Sequence, residues 1–254
     1  MRSITLLLCL SVVAHADTVS AQQSQDSIFV KDVLRVFASG SLVQRESMLP
    51  RVLAAKMTSK SPEVAAAIAH ELEMMNAVVK QRQKNIRLGI ADPTAPSIGE
   101  YVGGLTEACA HANNPVVIPA LVGGMNGSLV WEALVGFGPV IIEPVAALLE
   151  SEDDPLRVQG AAMTLTRLMG KYRLTDQQRS RLGRAVTARM NGRQHPVAWR
   201  GILTLALATG EPQLRQRVRA VADGVEVPPA TDPRELVALK KVAQRVLTAE
   251  RVQR

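Results

Sequence analysis

The sequence predicts an all-α protein, arranged as an α-solenoid of antiparallel helix pairs with about ten to twelve helices. Three observations predict it. Aromatic residues make up only 3% of the chain, and helix formers dominate with few β-branched clusters. Most of the 14 prolines fall at helix starts or in loops, where a missing N–H costs nothing. Finally, five stretches pair a helix-starting residue with a small residue five places later: Pro62 with Ala67, Ser128 with Ala133, Pro155 with Gly160, Pro196 with Gly201, and Pro233 with Ala238. In the last four, Trp131, Val158, Trp199 and Leu236 stand three residues after the start. A small side chain inside a helix lets another helix approach closely, and repetition of that device points to stacked helix pairs.

The elements follow in order. Met1 and Arg2 precede an apolar run from Ile4 to Ala14, and two small-x-small patterns end at Ala16 and Ala21. Residues 1–21 therefore read as a secretory signal peptide cleaved after Ala16 or Ala21. The run is shorter than the ~20 residues that span a bilayer, so no transmembrane anchor is expected in the mature chain. Leu8 before Cys9 argues against a lipoprotein signal. Residues 22–26 form a polar spacer expected to be disordered.

An N-terminal helical group, residues 27–88, follows. Asp26 or Ser27 is expected to cap a helix running to Ala38, Ser39-Gly40-Ser41 breaks it, and a second helix spans Leu42 to Met57. Ser61-Pro62-Glu63 starts a long helix reaching Arg87. Residues 89–97, with Gly89, Pro93 and Pro96 and no apolar period, are a linker.

Residues 98–254 form the repeat array. A helix from Ile98 to Ala112 leads in. First helices are then expected near Pro115, Pro139, Thr175 and Pro212, and second helices near Ser128, Pro155, Pro196 and Pro233. Asp154 before Pro155, Thr175 with Gln178, and Asp232 with Glu235 supply caps.

Residues 128–170 carry Ala133, a Gly136-Phe137-Gly138-Pro139 turn, an apolar helix containing Pro144, the acidic pair Asp153-Asp154, and Arg157 opening the next small-residue helix. This order resembles one and a half HEAT repeats, loosely continued elsewhere. The match weakens at 196–209, where Ala198 stands at the place of Arg157 and His195 replaces the acidic cap. The resemblance implies a binding or scaffolding role, with the concave surface of the second helices as contact face. The same motif predicts that Arg157 bridges to Asp153 or Asp154.

Charge is unevenly placed. The net charge is +7, yet residues 171–254 carry 17 Lys and Arg against 7 Asp and Glu. Such asymmetry marks either an anionic partner or an arginine-rich solvated surface. In an exported chain the partner is lipid headgroups, an acidic glycan or an acidic protein, and nucleic acid is not expected. The candidate contacts are Arg179, Arg181, Arg184, Arg189 and Arg193 along and just beyond one helix, with Arg215 and Arg219 on a later one.

No catalytic constellation emerges, and no cofactor or metal is expected. His70-Glu71 opens like a zinc-protease helix, but Met74 occupies the place of the second histidine; the pair reads as a helix-surface His–Glu pair. Glu107 and His111 share a helix face and read as an ordinary ion pair. The run Glu150, Glu152, Asp153, Asp154 lacks the glycine turn of a calcium loop. Gly103-Gly104 and Gly123-Gly124 lack a phosphate-loop lysine and read as packing devices. Asn126-Gly127-Ser128 matches a glycosylation sequon. Signal cleavage leaves Cys109 without a partner, among alanines, as a buried thiol. The chain thus reads as an exported, non-catalytic binding protein. An accessory subunit of an envelope enzyme or transport complex, and an enzyme with a dispersed site, remain as other classes.

Overall fold

The computed structural model describes residues 25–90, 97–125, 127–192, 194–228 and 233–253, and every element in them is helical. Helix α1 covers 25–39. It is followed by α2 (Leu42–Ala54), α3 (Met57–Lys60), α4 (Pro62–Arg87) and α5 (Gly99–Ala110). The C-terminal part contains α6 (Ile118–Gly123), α7 (Ser128–Gly136), α8 (Ile142–Ser151), α9 (Pro155–Lys171), α10 (Asp176–Met190), α11 (Pro196–Ala208), α12 (Pro212–Asp223) and α13 (Pro233–Gln253). Pro115–Val117 and Gly138–Ile141 are 3-10 turns that lead into α6 and α8. The all-α expectation is met, with thirteen helices among the described residues. The signal segment 1–21 lies outside them, as do residues 22–24 of the expected spacer and most of the linker.

Helix starts follow local chemistry. Ser61 accepts from the Val64 N–H ahead of Pro62. Asp154 accepts from the N–H groups of Leu156 and Arg157, with Pro155 in the first turn of α9. Thr175 and Gln178 close a reciprocal capping box on α10. Two N-terminal expectations are corrected. The first helix already includes Gln25 and Asp26, ahead of the expected cap. The second ends at Ala54, because Lys56 adopts a left-handed conformation (φ 52°) that breaks the hydrogen-bond ladder. That break turns Met57 and Thr58 into the core, where the Thr58 hydroxyl donates to the Ala108 carbonyl at 2.8 Å.

The helices pack in series in two layers. In one, α5, α7, α9, α11 and α13 touch in succession; in the other, α4, α6, α8 and α10 do so. Neighbours along the chain join the layers, α8 with α9 and α12 with α13 among them. One buried apolar cluster runs from Val33 to Ala243, so the N-terminal helices share the core of the array.

Glycine sets the closest approaches. A Cβ on Gly201 would lie 3.1 Å from both the Ala162 Cβ and the Gln159 carbonyl oxygen on α9. A Cβ on Gly160 would lie 2.8 Å from Trp131 Nε1 and 3.1 Å from the Met125 carbonyl oxygen. Ala67 and Ala133 are half-buried, whereas Ala238 is exposed because α13 turns Leu239 and Ala243 inward instead. The small-residue device therefore operates at two of its five positions as a buried crossing.

Candidate functional site

Polar side chains tie the layers together before any surface remains for binding. The turn 152–154 is the busiest joint. The Glu152 carboxylate accepts from the backbone N–H groups of Asp153 and Asp154, each at 3.1 Å, and pairs with the Arg157 guanidinium. Arg157 is buried on α9 and also donates to the Val122 carbonyl near the end of α6, at 3.3 Å. The expected Arg157 bridge to Asp153 or Asp154 is thus corrected to Glu152, because Asp154 is occupied capping α9.

The predicted basic residues divide by role. Arg181 on α10 donates to Glu143 at 3.0 Å and to both carboxylate oxygens of Glu150 at 2.6 and 3.0 Å. Arg189 donates to the carbonyls of Leu149 and Glu152 at the end of α8. Arg179 donates to the Leu174 carbonyl at 3.1 Å, and Arg215 pairs with Glu250 across α12 and α13. Arg184 and Arg219 are exposed and carry no ion pair among the described residues. Arg193 lies outside the described residues.

Glu71 is not part of a surface pair. It is buried on α4, accepts from the Arg45 guanidinium at 2.5 Å, and accepts from the Tyr101 hydroxyl at 3.0 Å, while His70 is exposed. Burial first, and then the Glu71 charge, push the Tyr101 phenol well above its ordinary range. Glu107 and His111 are exposed and make no ion pair among the described residues. Within those residues, no three His, Cys, Asp or Glu side chains converge as a metal set. Gly104 lies close to Leu49, and Gly123 and Gly124 approach Asn76; Gly103 meets open space. Asn126 of the sequon lies outside the described residues.

Cys109 is fully buried. Burial, with a contribution from Glu73, pushes its thiol up to about 12 from an ordinary 9.0. At about pH 8 its thiolate fraction is then ~10⁻⁴. A thiol reagent is expected to leave Cys109 unlabelled in the native protein and to label it after denaturation; rapid native labelling of Cys109 contradicts the buried placement. The same shift favours the native state below about pH 9 and is lost as pH rises toward about 12.

Among the described residues, an open cavity of about 610 Å³ lies across α9, α11, α12 and α13. Its floor is apolar, formed by half-buried Met163, Val242 and Val246 with buried Leu207. Arg200, Arg215 and Arg245 border it, with Glu250 as the single carboxylate. Glu250 pairs with Arg215, whereas Arg200 and Arg245 are exposed without an ion pair among the described residues. The Thr166 and Thr204 hydroxyls donate to backbone carbonyls, at 2.8 and 2.7 Å, so the guanidiniums are the main side-chain donors. A smaller cavity of about 320 Å³ shares Ala208 with it and is lined by Lys171, Arg173 and Arg179. Permanently charged guanidiniums cannot shuttle protons near neutral pH, but their forked donors match carboxylate and phosphate oxygens.

No family model, curated protein or solved structure matches this chain. The functional reading therefore rests on this geometry. Of the two free arginines at the main cavity, neither stood out in sequence: Arg200 follows Trp199 alone, and Arg245 lies on a helix of mixed charge. Arg215 was visible through its spacing from Arg219, yet its pairing with Glu250 was not. No described helix is long and apolar enough to cross a membrane.

Proposed function

We propose that the chain is an exported, non-catalytic binding protein of HEAT-like construction that holds an anionic partner on its C-terminal helical face. The observation that carries this reading is the arginine-bordered cavity across α9, α11, α12 and α13. Three of these are second helices of the expected repeat, the elements whose concave surface serves as contact face in helical arrays. Serial packing of α5, α7, α9, α11 and α13 supports the repeat reading, and the apolar run with small-residue cleavage patterns in residues 1–21 supports export.

The structure also selects the residues to test. Arg181 already neutralises Glu143 and Glu150, so reversing it would crowd three carboxylates and disturb packing. Arg200 and Arg245, exposed at the cavity rim with no ion pair among the described residues, are the cleaner probes. The purified protein is expected to bind a sulfated polysaccharide with an affinity that falls as salt rises, and Arg200→Glu with Arg245→Glu is expected to weaken it about tenfold. Binding that ignores both salt and the substitutions contradicts the reading.

A second reading, an accessory subunit of an envelope complex, is favoured by a different observation. Leu129, Leu156 and Val197 are exposed, and each stands at the second residue of α7, α9 or α11, helices that pack in sequence. They give that end of the array apolar side chains for a protein partner.

A further inference from the structure

We propose that the cavity across α9, α11, α12 and α13 binds a free single-chain amphiphile, an aliphatic tail carrying one anionic head. This deepens the proposed function and rests on it. The floor supplies the first half of the argument. Met163, Leu207, Val242 and Val246 come from three helices that pack side by side, and three of the four are only half-buried. An unbranched chain laid on them removes that apolar surface from water, which is the main driving force such a site offers.

The rim supplies the second half. Arg215 and Glu250 compensate each other, which leaves Arg200 on α11 and Arg245 on α13 as two uncompensated guanidiniums bordering the same apolar floor. Lys171, Arg173 and Arg179 line the adjoining smaller cavity, so the side reached through Ala208 is also cationic. A cationic head would meet repulsion there and a neutral head would leave both guanidiniums unused. A carboxylate or phosphate head gains charge-assisted hydrogen bonds. The volume, about 610 Å³, falls within the range of sites that enclose one small molecule. A concave site of that size accommodates a single tail and does not present protruding apolar side chains to a bilayer.

The test is calorimetric titration of the purified protein, below micelle-forming concentrations, with octanoate, decanoate, decyl phosphate, decyltrimethylammonium and acetate. Decanoate and decyl phosphate are expected to bind, with affinity rising about fourfold per added methylene between octanoate and decanoate. Acetate and decyltrimethylammonium are expected to give no measurable heat. Arg200→Ser with Arg245→Ser is expected to weaken decanoate at least tenfold. Ala249→Trp, which fills the cavity from an exposed position on α13, is expected to abolish binding while the melting curve stays unchanged. Equal affinity for the cationic amphiphile, affinity independent of chain length, or undiminished binding by the tryptophan variant overturns the proposal. So does association with anionic vesicles without decanoate binding. If decanoate fails while the sulfated polysaccharide still binds in a salt-dependent way, the amphiphile is wrong and the anion-binding reading stands. If both fail, the reading falls with it.

Discussion

Glu152→Ala is expected to destabilise the protein by about 3–5 kcal/mol, more than any other single removal of charge in the array. The reason is asymmetry within the ion pair. The Arg157 side chain is 4% exposed and its Glu152 partner 16% exposed. Deleting the carboxylate strands a buried guanidinium whose Nε already lacks a hydrogen-bond partner. It also releases the N–H groups of Asp153 and Asp154, loosening the turn onto which Arg189 docks. Arg157→Met removes the buried charge instead and leaves Glu152 closer to water, so its cost is expected to be clearly smaller. Adding Arg157→Met to Glu152→Ala is expected to recover part of the loss. Chemical denaturation of the four members of this cycle checks the prediction. Equal costs for the two single variants would place Arg157 in water.

Gly201→Leu is the second large effect, expected to lower stability by about 1–3 kcal/mol, with Gly160→Leu in the same range. The two glycines differ in what yields. At Gly201 a side chain meets the α9 backbone at Gln159 as well as the Ala162 methyl, and neither can rotate away. At Gly160 the nearest atom belongs to the Trp131 ring, although the Met125 carbonyl is also close. The Gly201 variant should therefore be the worse of the pair, and Ala238→Leu, at an exposed position, should be nearly neutral. Thermal melts of the three variants read this order directly. A neutral Gly201→Leu would remove the α9–α11 crossing from the account.

Much of the helical order was legible because it rests on local rules. Proline after Asp154, the Thr175 and Gln178 box, and Ser61 ahead of Pro62 each mark a start through neighbours within four residues. The alternation of first and second helices followed from those starts, and Gly160 and Gly201 from their spacing. What sequence could not show depends on contacts between distant residues. Whether Arg157 takes Glu152 or Asp154 depends on which carboxylate the helix start already occupies. Lys56 breaks α2 because the turn places Met57 and Thr58 in the core near α5, a contact spanning 50 positions at the Thr58 hydroxyl. The arginines looked like one class in sequence. Packing separated Arg181 and Arg189, which hold α8, from Arg184 and Arg219, which face water. The cavity was the least legible, since its lining runs from Met163 to Glu250 and only the stacking of α9, α11 and α13 assembles it.

These divisions give the basic C-terminal third a narrower meaning than its charge alone. Part of the charge is structural, locked against Glu143, Glu150 and Glu250. Of the remainder, Arg200 and Arg245 border an apolar floor and are available to an anion. The most direct test of that claim is hydrogen exchange of the protein with and without the sulfated polysaccharide bound. Slowed exchange concentrated on α9, α11, α12 and α13 is the predicted result. Protection confined to α1 to α5, with α9, α11, α12 and α13 unchanged, would contradict it.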